Sequence, residues 1–487
     1  MGKEGYAVSR WHDTDEIYRR LEELIKQPIR PIKRDAMQRY LDYFENKCGN
    51  SKKMITEAKE YIPGGVQHNL AFNYPFPIVI DRAEGAYLWD ADGNKYIDFL
   101  QAGGPTILGS NYEPVRKEVI KLLNHCGPVT GLFHEYELKI AKLINKHMPA
   151  VEKFRMLGSG TESVMAAIRI ARLATGKKKV VKIGGAYHGW SDQMVYGLKI
   201  PGTGRFEAHG IPRECSKHTQ EVKPNDIEAL RKQLKKNKLR GGTACVIVEP
   251  VGPESGTRPI YEEYNKEVRR LCDDFDTILI FDEVVTGFRI GLGSAQGYFD
   301  VKPDLTIFGK VIAGGYPAAG GIGGRKDLID HLAAGLESGK KRAYVGGTLA
   351  ANPLSCIAGY YTILEIEKTN ACEKAGEAGD RLTNGLNYLI DKYNLPFVAY
   401  NQGSICHLET GAAMFVKLGI NILSALGEVK KRKHMMEEMG AAYLAEGIVT
   451  LAGSRLYTSL SDTDEVIDDA LNKFENVFRN IDGVKTS

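Results

Sequence analysis

From about residue 105 to residue 345 the chain alternates short, largely apolar runs with stretches of helical period. Residues 179–183, 245–248, 278–281 and 305–308 are runs too short for helices, each bounded by glycine or charge. Residues 227–238 and 261–275 lie between them and read as helices. Runs without a polar face belong to strands covered on both sides, and helical crossovers make neighbouring strands parallel. The pattern predicts an α/β fold with a mostly parallel central sheet and helices on both faces. A chain of 487 residues, 43% hydrophobic, has ample material for such a core without disulfide staples.

The flanks read differently. Asp13 or Thr14 can cap a helix whose apolar residues Ile17, Leu21, Leu24 and Ile25 share one face, and Pro28 and Pro31 stop it. A second helix is expected over 51–61, and a β-like region over 77–99 turns at Asp92-Gly93. After Ala350 helices and short strands return, closing with a polar helix around 462–479. The expected organisation is an N-terminal helical extension (1–50), an N-terminal segment of a small domain (51–104), a large domain (105–345) and the C-terminal part of the small domain (346–487).

Charge and cysteine usage narrow the partners. Lysine and arginine number 65 against 61 acidic residues, and the basic runs 177–179 and 430–433 are short enough to be solvated helix ends. No nucleic-acid partner is expected. The eight cysteines form no CxxC pair and no cluster with histidine at zinc spacing, which predicts free thiols in a reducing cytosol and no metal site. Residues 1–20 lack the apolar core of a signal peptide, and no stretch approaches the roughly 20 apolar residues of a membrane span, so a soluble, cytoplasmic protein is expected.

In open parallel sheets ligands sit beyond the carboxyl ends of the strands. Four such places carry chemistry. Gly158-Ser159-Gly160-Thr161 precedes a helical run, and small residues there let backbone N–H groups and hydroxyls meet a phosphate. Gly184-Gly185-Ala186-Tyr187-His188-Gly189 follows a strand, where Tyr187 can stack on a flat ring. Asp282 and Glu283 end the run 278–281, and one buried carboxylate there can pair with a protonated heterocyclic nitrogen. Lys310 stands between a strand end and a glycine-rich turn, where partial desolvation lowers its pKa and makes it a nucleophile for a Schiff base. Phosphate cradle, stacking ring, acid and lysine together are what pyridoxal 5′-phosphate (PLP) requires.

The same motifs carry a family resemblance. Residues 85–98 (GAYLWDADGNKYID), 158–176, Tyr187-His188-Gly189, 281–289 (FDEVVTGFR), 303–310 and 346–353 (GGTLAANP) resemble the class III aminotransferases of PLP fold-type I, within them the glutamate-1-semialdehyde 2,1-aminomutase-like branch. The resemblance runs from about Ile62 to Leu460. It implies a large PLP-binding domain and a smaller α+β domain built from both ends of the chain. It also implies Lys310 as Schiff-base lysine and proton carrier, Asp282 at the pyridine nitrogen, and Tyr187 and Val284 on the two ring faces. Ser159, Gly160 and Thr161 would bind phosphate, His188 would belong to the cofactor site, and Thr348 would reach the neighbouring subunit's phosphate, making a homodimer with shared sites.

At the substrate positions the chain departs from the aminomutase. That family has Ser-Pro-Val-Arg where His68-Asn69-Leu70-Ala71 stands, and a tryptophan where Gly103 stands. Arg455 resembles the arginine with which ω-aminotransferases hold a 2-oxo acid carboxylate, and Glu249 its partner glutamate; His68 lies at the mouth. The expected activity is transfer of the amino group of a β-, ω- or other non-standard amino compound to a 2-oxo acid through pyridoxamine phosphate. A PLP-dependent isomerase, mutase or racemase, is the alternative.

Overall fold

The computed structural model describes residues 3–485 apart from 72, 128, 199, 205–207, 336–340 and 417–421. Two units divide the chain: residues 1–11 with 113–373, and residues 12–112 with 374–487.

The first unit is built on a seven-stranded sheet. In spatial order the strands are Lys153–Leu157, Gly320–Gly324, Leu305–Gly309, Ile278–Asp282, Thr243–Val248, Lys179–Ile183 and Thr219–Val222. All pairings are parallel except those of Gly320–Gly324, which runs antiparallel to both neighbours. Thr243–Val248, Ile278–Asp282 and Leu305–Gly309 are buried at every residue, as strands covered on both faces must be. The crossover helices Ile227–Lys238 and Tyr264–Asp274 lie where the helical period predicts them. One core joins the strands to the helix Gly160–Thr175 through Leu157, Ile168, Ile247, Ile280 and Ile307.

Gly320–Gly324 (sequence GGIGG) was not anticipated as a strand. Its glycines answer to close neighbours: a Cβ on Gly320 would fall on the backbone of Ser159, and one on Gly321 would lie 2.6 Å from the Phe154 ring. The helix Pro353–Thr369 also belongs to this unit, packed on the helices Glu113–His125 and Glu135–His147. The expected boundary at 345/346 therefore falls at 373/374. The physical reason is Gly359, whose missing side chain lets that helix rest on the Ile312 carbonyl.

The second unit holds two small sheets. Ile80–Glu84, Tyr87–Asp90 and Lys95–Asp98 form an antiparallel meander extended by Ile448–Val449, and Val398–Gln402, Ile405–Glu409 and Arg455–Tyr457 form the other. The helices Thr14–Lys26, Arg34–Lys47 and Gly49–Tyr61 are part of this body, not an extension: Leu21 and Phe44 share a core with Tyr96, Leu382, Tyr443 and Phe474. Asp13 caps the first helix by accepting from Glu16 N–H. At its other end Arg432, expected to be solvated, is buried and donates to the carbonyls of Ile25 (2.8 Å), Gln27 (3.2 Å) and Gly411 (3.0 Å). The last carbonyls of a helix need outside donors, and this guanidinium supplies them. Among the described residues no helix is long and apolar enough to cross a membrane.

Candidate active site

The strand Lys153–Leu157 delivers the chain to Gly158, and Ser159 turns it into the helix Gly160–Thr175. Ser159 is extended (φ −159°, ψ 164°), and its Oγ accepts from Glu162 N–H at 3.3 Å. The N–H groups of Gly160 and Thr161, at the first two helical positions, have no acceptor within their own helix, which makes this end an anion seat. Gly189 (φ +81°) follows His188, and a Cβ on it would lie 2.8 Å from both Cα and Cβ of Thr161. The phosphate cradle and the Tyr187 turn are thus in contact.

Tyr187 and His188 follow the strand Lys179–Ile183 and divide their tasks. Tyr187 leaves its ring half exposed, with its hydroxyl pKa raised by burial and then by Glu254 and Asp282. His188 is buried, and its Nδ1 lies 2.8 Å from Asp282 Oδ2 at the end of the strand Ile278–Asp282. Burial lowers the His188 pKa more than the Asp282 hydrogen bond raises it. The imidazole is therefore neutral, and a carboxylate can only accept, so Nδ1 carries the proton. Asp282 Oδ1 accepts from Val284 N–H at 3.1 Å. Each oxygen has two lone pairs, so the carboxylate, held from two sides, keeps acceptor sites for a further donor.

Lys310 follows the strand Leu305–Gly309 with φ +50°, the left-handed region that L-residues rarely adopt. Such strain concentrates where a side chain must point in one direction. Val284 connects Lys310's surroundings to the cradle. A Cβ on Gly309 would stand 2.8 Å from Val284 Cγ1, and one on Gly160 would stand 2.8 Å from Val284 Cγ2. Two absent side chains leave room for the isopropyl group between the lysine strand and the phosphate helix.

Two buried charges hold the Tyr187 turn: Lys182, which the motif reading missed, and Glu249, which the resemblance placed beside Arg455. Lys182 Nζ donates to the carbonyls of Ala186 (2.8 Å) and Tyr196 (2.7 Å) on the loop that carries Tyr187. The signal was visible as a lysine between Val181 and Ile183 inside a strand. Glu249 Oε1 accepts from the backbone N–H groups of Tyr187 (2.8 Å) and Glu254 (2.7 Å), while Oε2 takes the N–H and hydroxyl of Ser255. Burial, then Asp282, pushes its pKa up to about 7.

The remaining expected residues lie elsewhere. Thr348 is exposed on a turn, and the neighbouring Gly347 passes beside Glu162: a Cβ on it would lie 3.4 Å from Oε2. In the second unit, His68 is exposed and its Nδ1 accepts from Leu70 N–H at 3.0 Å. Arg455 is 9% exposed, on a strand that pairs it in register with His407. Burial, then the charge of Arg455, drives the His407 pKa down, so that imidazole is neutral.

The cofactor suggested by the sequence can be tested on this geometry. An anion seat, a half-exposed ring, a carboxylate with spare acceptor capacity, a lysine aimed by its backbone and glycines that clear both flanks of Val284 suit a phosphorylated, protonated pyridine aldehyde. When bound, PLP supplies an electron sink for the bonds of an attached amine.

A family model described as aminotransferase class-III matches residues 70–478. Among solved structures, an omega-transaminase from Sphaerobacter thermophilus is 24% identical with a TM-score of 0.79, over 90% of this chain and 99% of that one. A beta-phenylalanine aminotransferase from Variovorax paradoxus is 26% identical with a TM-score of 0.76, over 91% and 96%. A glutamate-1-semialdehyde-aminomutase from Pseudomonas aeruginosa PAO1 is 21% identical with a TM-score of 0.78, over 95% and 99%. Likeness below 25% identity speaks for the fold, and the family model speaks for the chemistry: this chain belongs to the class III aminotransferases and is a PLP-dependent transaminase.

Proposed function

We propose that the enzyme moves the amino group of a β-, ω- or other non-standard amino compound to a 2-oxo acid. The observation that carries this reading is the burial of Arg455. Burial strengthens the pairing of a guanidinium with an anion, and the planar fork of an arginine matches a carboxylate. Neutral His407 across the register adds no competing charge. The small side chains at Ala71 and Gly103, and the names of the omega-transaminase and beta-phenylalanine aminotransferase neighbours, support a donor other than an ordinary α-amino acid.

In this reading Lys310 holds the cofactor and carries the substrate proton, while Asp282, backed by His188, accepts the ring N–H. Tyr187 and Val284 cover the two ring faces, and Ser159, Gly160 and Thr161 hold the phosphate. Glu249 enters as the staple of Tyr187, because four donors already occupy its oxygens. His68 stands at the substrate mouth. Thr348 reaches a second copy's phosphate, and a homodimer is supported by large exposed apolar residues of the first unit, Leu132, Phe133, Trp190 and Leu349 among them.

The experiment adds β-, ω- and α-amino acids, one at a time and without a 2-oxo acid, while the cofactor's visible absorption is followed. Stoichiometric loss with one donor class supports the transaminase and identifies the class. Persistent absorption while the substrate isomerises favours a mutase or racemase and rejects the reading. Arg455→Ala is expected to weaken 2-oxo acid use at least tenfold and leave the first half-reaction nearly intact. Equal effects on both halves remove the role of Arg455.

A further inference from the structure

The N-terminal segment before Trp11 lies outside the family resemblance, yet it docks on the loop that descends from Asp282. Asp282 is followed by Glu283, a fully buried carboxylate that accepts from Thr286 Oγ1 (2.8 Å), Ala295 N–H (2.8 Å) and Gln296 N–H (2.9 Å). These bonds fasten the short helix Ser294–Phe299 back onto the residue beside Asp282. Six residues make no stable helix by themselves. Its other side is covered by residues 6–11. Tyr6 bridges to Gly291 as an antiparallel partner, and Ala7 N–H donates to Ile290 O at 2.7 Å. The Tyr6 ring lies on Gly291, and its hydroxyl occupies the space that side chains at Gly293 and Gly297 would need. Trp11 stands edge-on to Phe299 (5.0 Å, 76°), and its indole N–H donates to Ile260 O at 2.9 Å.

We propose that Tyr6 is a positioning residue for Asp282: seated on Gly291, Gly293 and Gly297, it holds the helix Ser294–Phe299 against Glu283 and so fixes the carboxylate that meets the cofactor ring. The inference rests on the reading of Asp282 given above. It adds a contribution from a segment with no cofactor contact of its own. Without the ring, the three glycines face a trench, the helix loses its outer support, and the Glu283 staple loosens one peptide from Asp282.

The test uses full-length enzyme and four substitutions: Tyr6→Ala, Tyr6→Phe, Gly297→Ala and the pair Tyr6→Phe/Gly297→Ala, with Asp282→Asn as reference. Affinity for added PLP, the pH at which the bound cofactor's visible band titrates, and thermal unfolding are measured on each. Tyr6→Ala is expected to weaken PLP binding about tenfold or more and to move the band's titration in the same direction as Asp282→Asn. Gly297→Ala, favourable for a helix alone, is expected to do the same because its methyl group strikes the Tyr6 hydroxyl. Removing that hydroxyl in the pair should restore affinity to about threefold of Tyr6→Phe. A pair no better than Gly297→Ala, or an unmoved titration in Tyr6→Ala with only the unfolding temperature lowered, overturns the proposal and leaves the reading of Asp282 standing. Wild-type binding and titration in Asp282→Asn overturns both.

Discussion

Glu249 offers a test whose size can be worked out from its surroundings. The residue follows the strand Thr243–Val248, and burial, then Asp282, raises its pKa from 4.5 to about 7. Below pH about 4.5 the acid is protonated in both the folded and the unfolded chain, and its contribution to stability is complete. As pH rises toward 7 the unfolded chain ionises first, so the folded state loses relative stability, by about 3 kcal/mol once the buried carboxyl ionises too. Glu249→Gln removes this titration. The amide also sets an NH₂ against the Ser255 N–H or the Tyr187 N–H, but that penalty is independent of pH and shifts only the offset. Urea midpoints for the two proteins at pH 5, 6, 7 and 8 should therefore give a difference, wild type minus variant, that falls by about 2.5 kcal/mol across the series, the rest of the loss lying below pH 5. A flat difference refutes the reasoning. A difference that grows with pH means that Glu249 is ionised and paired with a cation, as a counter-ion for an arginine would be.

Three further outcomes are expected. Lys310→Ala should abolish the visible absorption of the lysine-bound cofactor, and an unchanged spectrum after PLP addition would place the reactive amine elsewhere. Gly309→Ala should cost about 1–3 kcal/mol of holoenzyme stability, because its methyl group would stand 2.8 Å from Val284 Cγ1 on a backbone that alanine otherwise tolerates. Val284→Ala in that background should recover part of the loss, and additive effects in the double-mutant cycle would rule out the contact. Arg432→Met should lower stability by about 3 kcal/mol in urea denaturation, since the carbonyls of Ile25, Gln27 and Gly411 lose their buried donor. A loss within about 0.5 kcal/mol would make the guanidinium dispensable there.

What the sequence disclosed follows from which forces act locally. The strand Ile278–Asp282 and the helix Ile227–Lys238 were legible because their own residues decide them: a continuous apolar run in the first, and a capping Asp226 with periodic apolar residues in the second. The helix Arg34–Lys47, not anticipated from the sequence, does carry a period in Ala36, Met37, Tyr40 and Phe44. Gly320–Gly324 carried none. Four glycines in five residues read as a turn, and only the neighbours Phe154 and Ser159 explain why a strand needs them. Arg432 failed for the same reason in reverse: among Lys430, Lys431 and Lys433 it looks solvated, and only the end of the helix Thr14–Lys26, some four hundred positions earlier in sequence, makes it a buried donor.

The same division runs through the site. Lys310, Asp282, Tyr187 and Ser159 stand out in the sequence because each is a reactive or polar group at a strand end, where side-chain chemistry alone marks a candidate. What holds them is mostly the absence of side chains. Gly189 rests on Thr161, Gly320 lies against Ser159, and Gly160 and Gly309 leave Val284 its place between the phosphate helix and the lysine strand. The Tyr6 segment uses the same device on Gly291, Gly293 and Gly297. A glycine's role is set by the atom that occupies the space of its missing Cβ, and that atom is rarely near in sequence. A change in the reactive groups should therefore appear first in chemistry, in spectra and half-reactions. A change in these glycines should appear first in cofactor retention, with the reactive groups intact but displaced by the width of a methyl group.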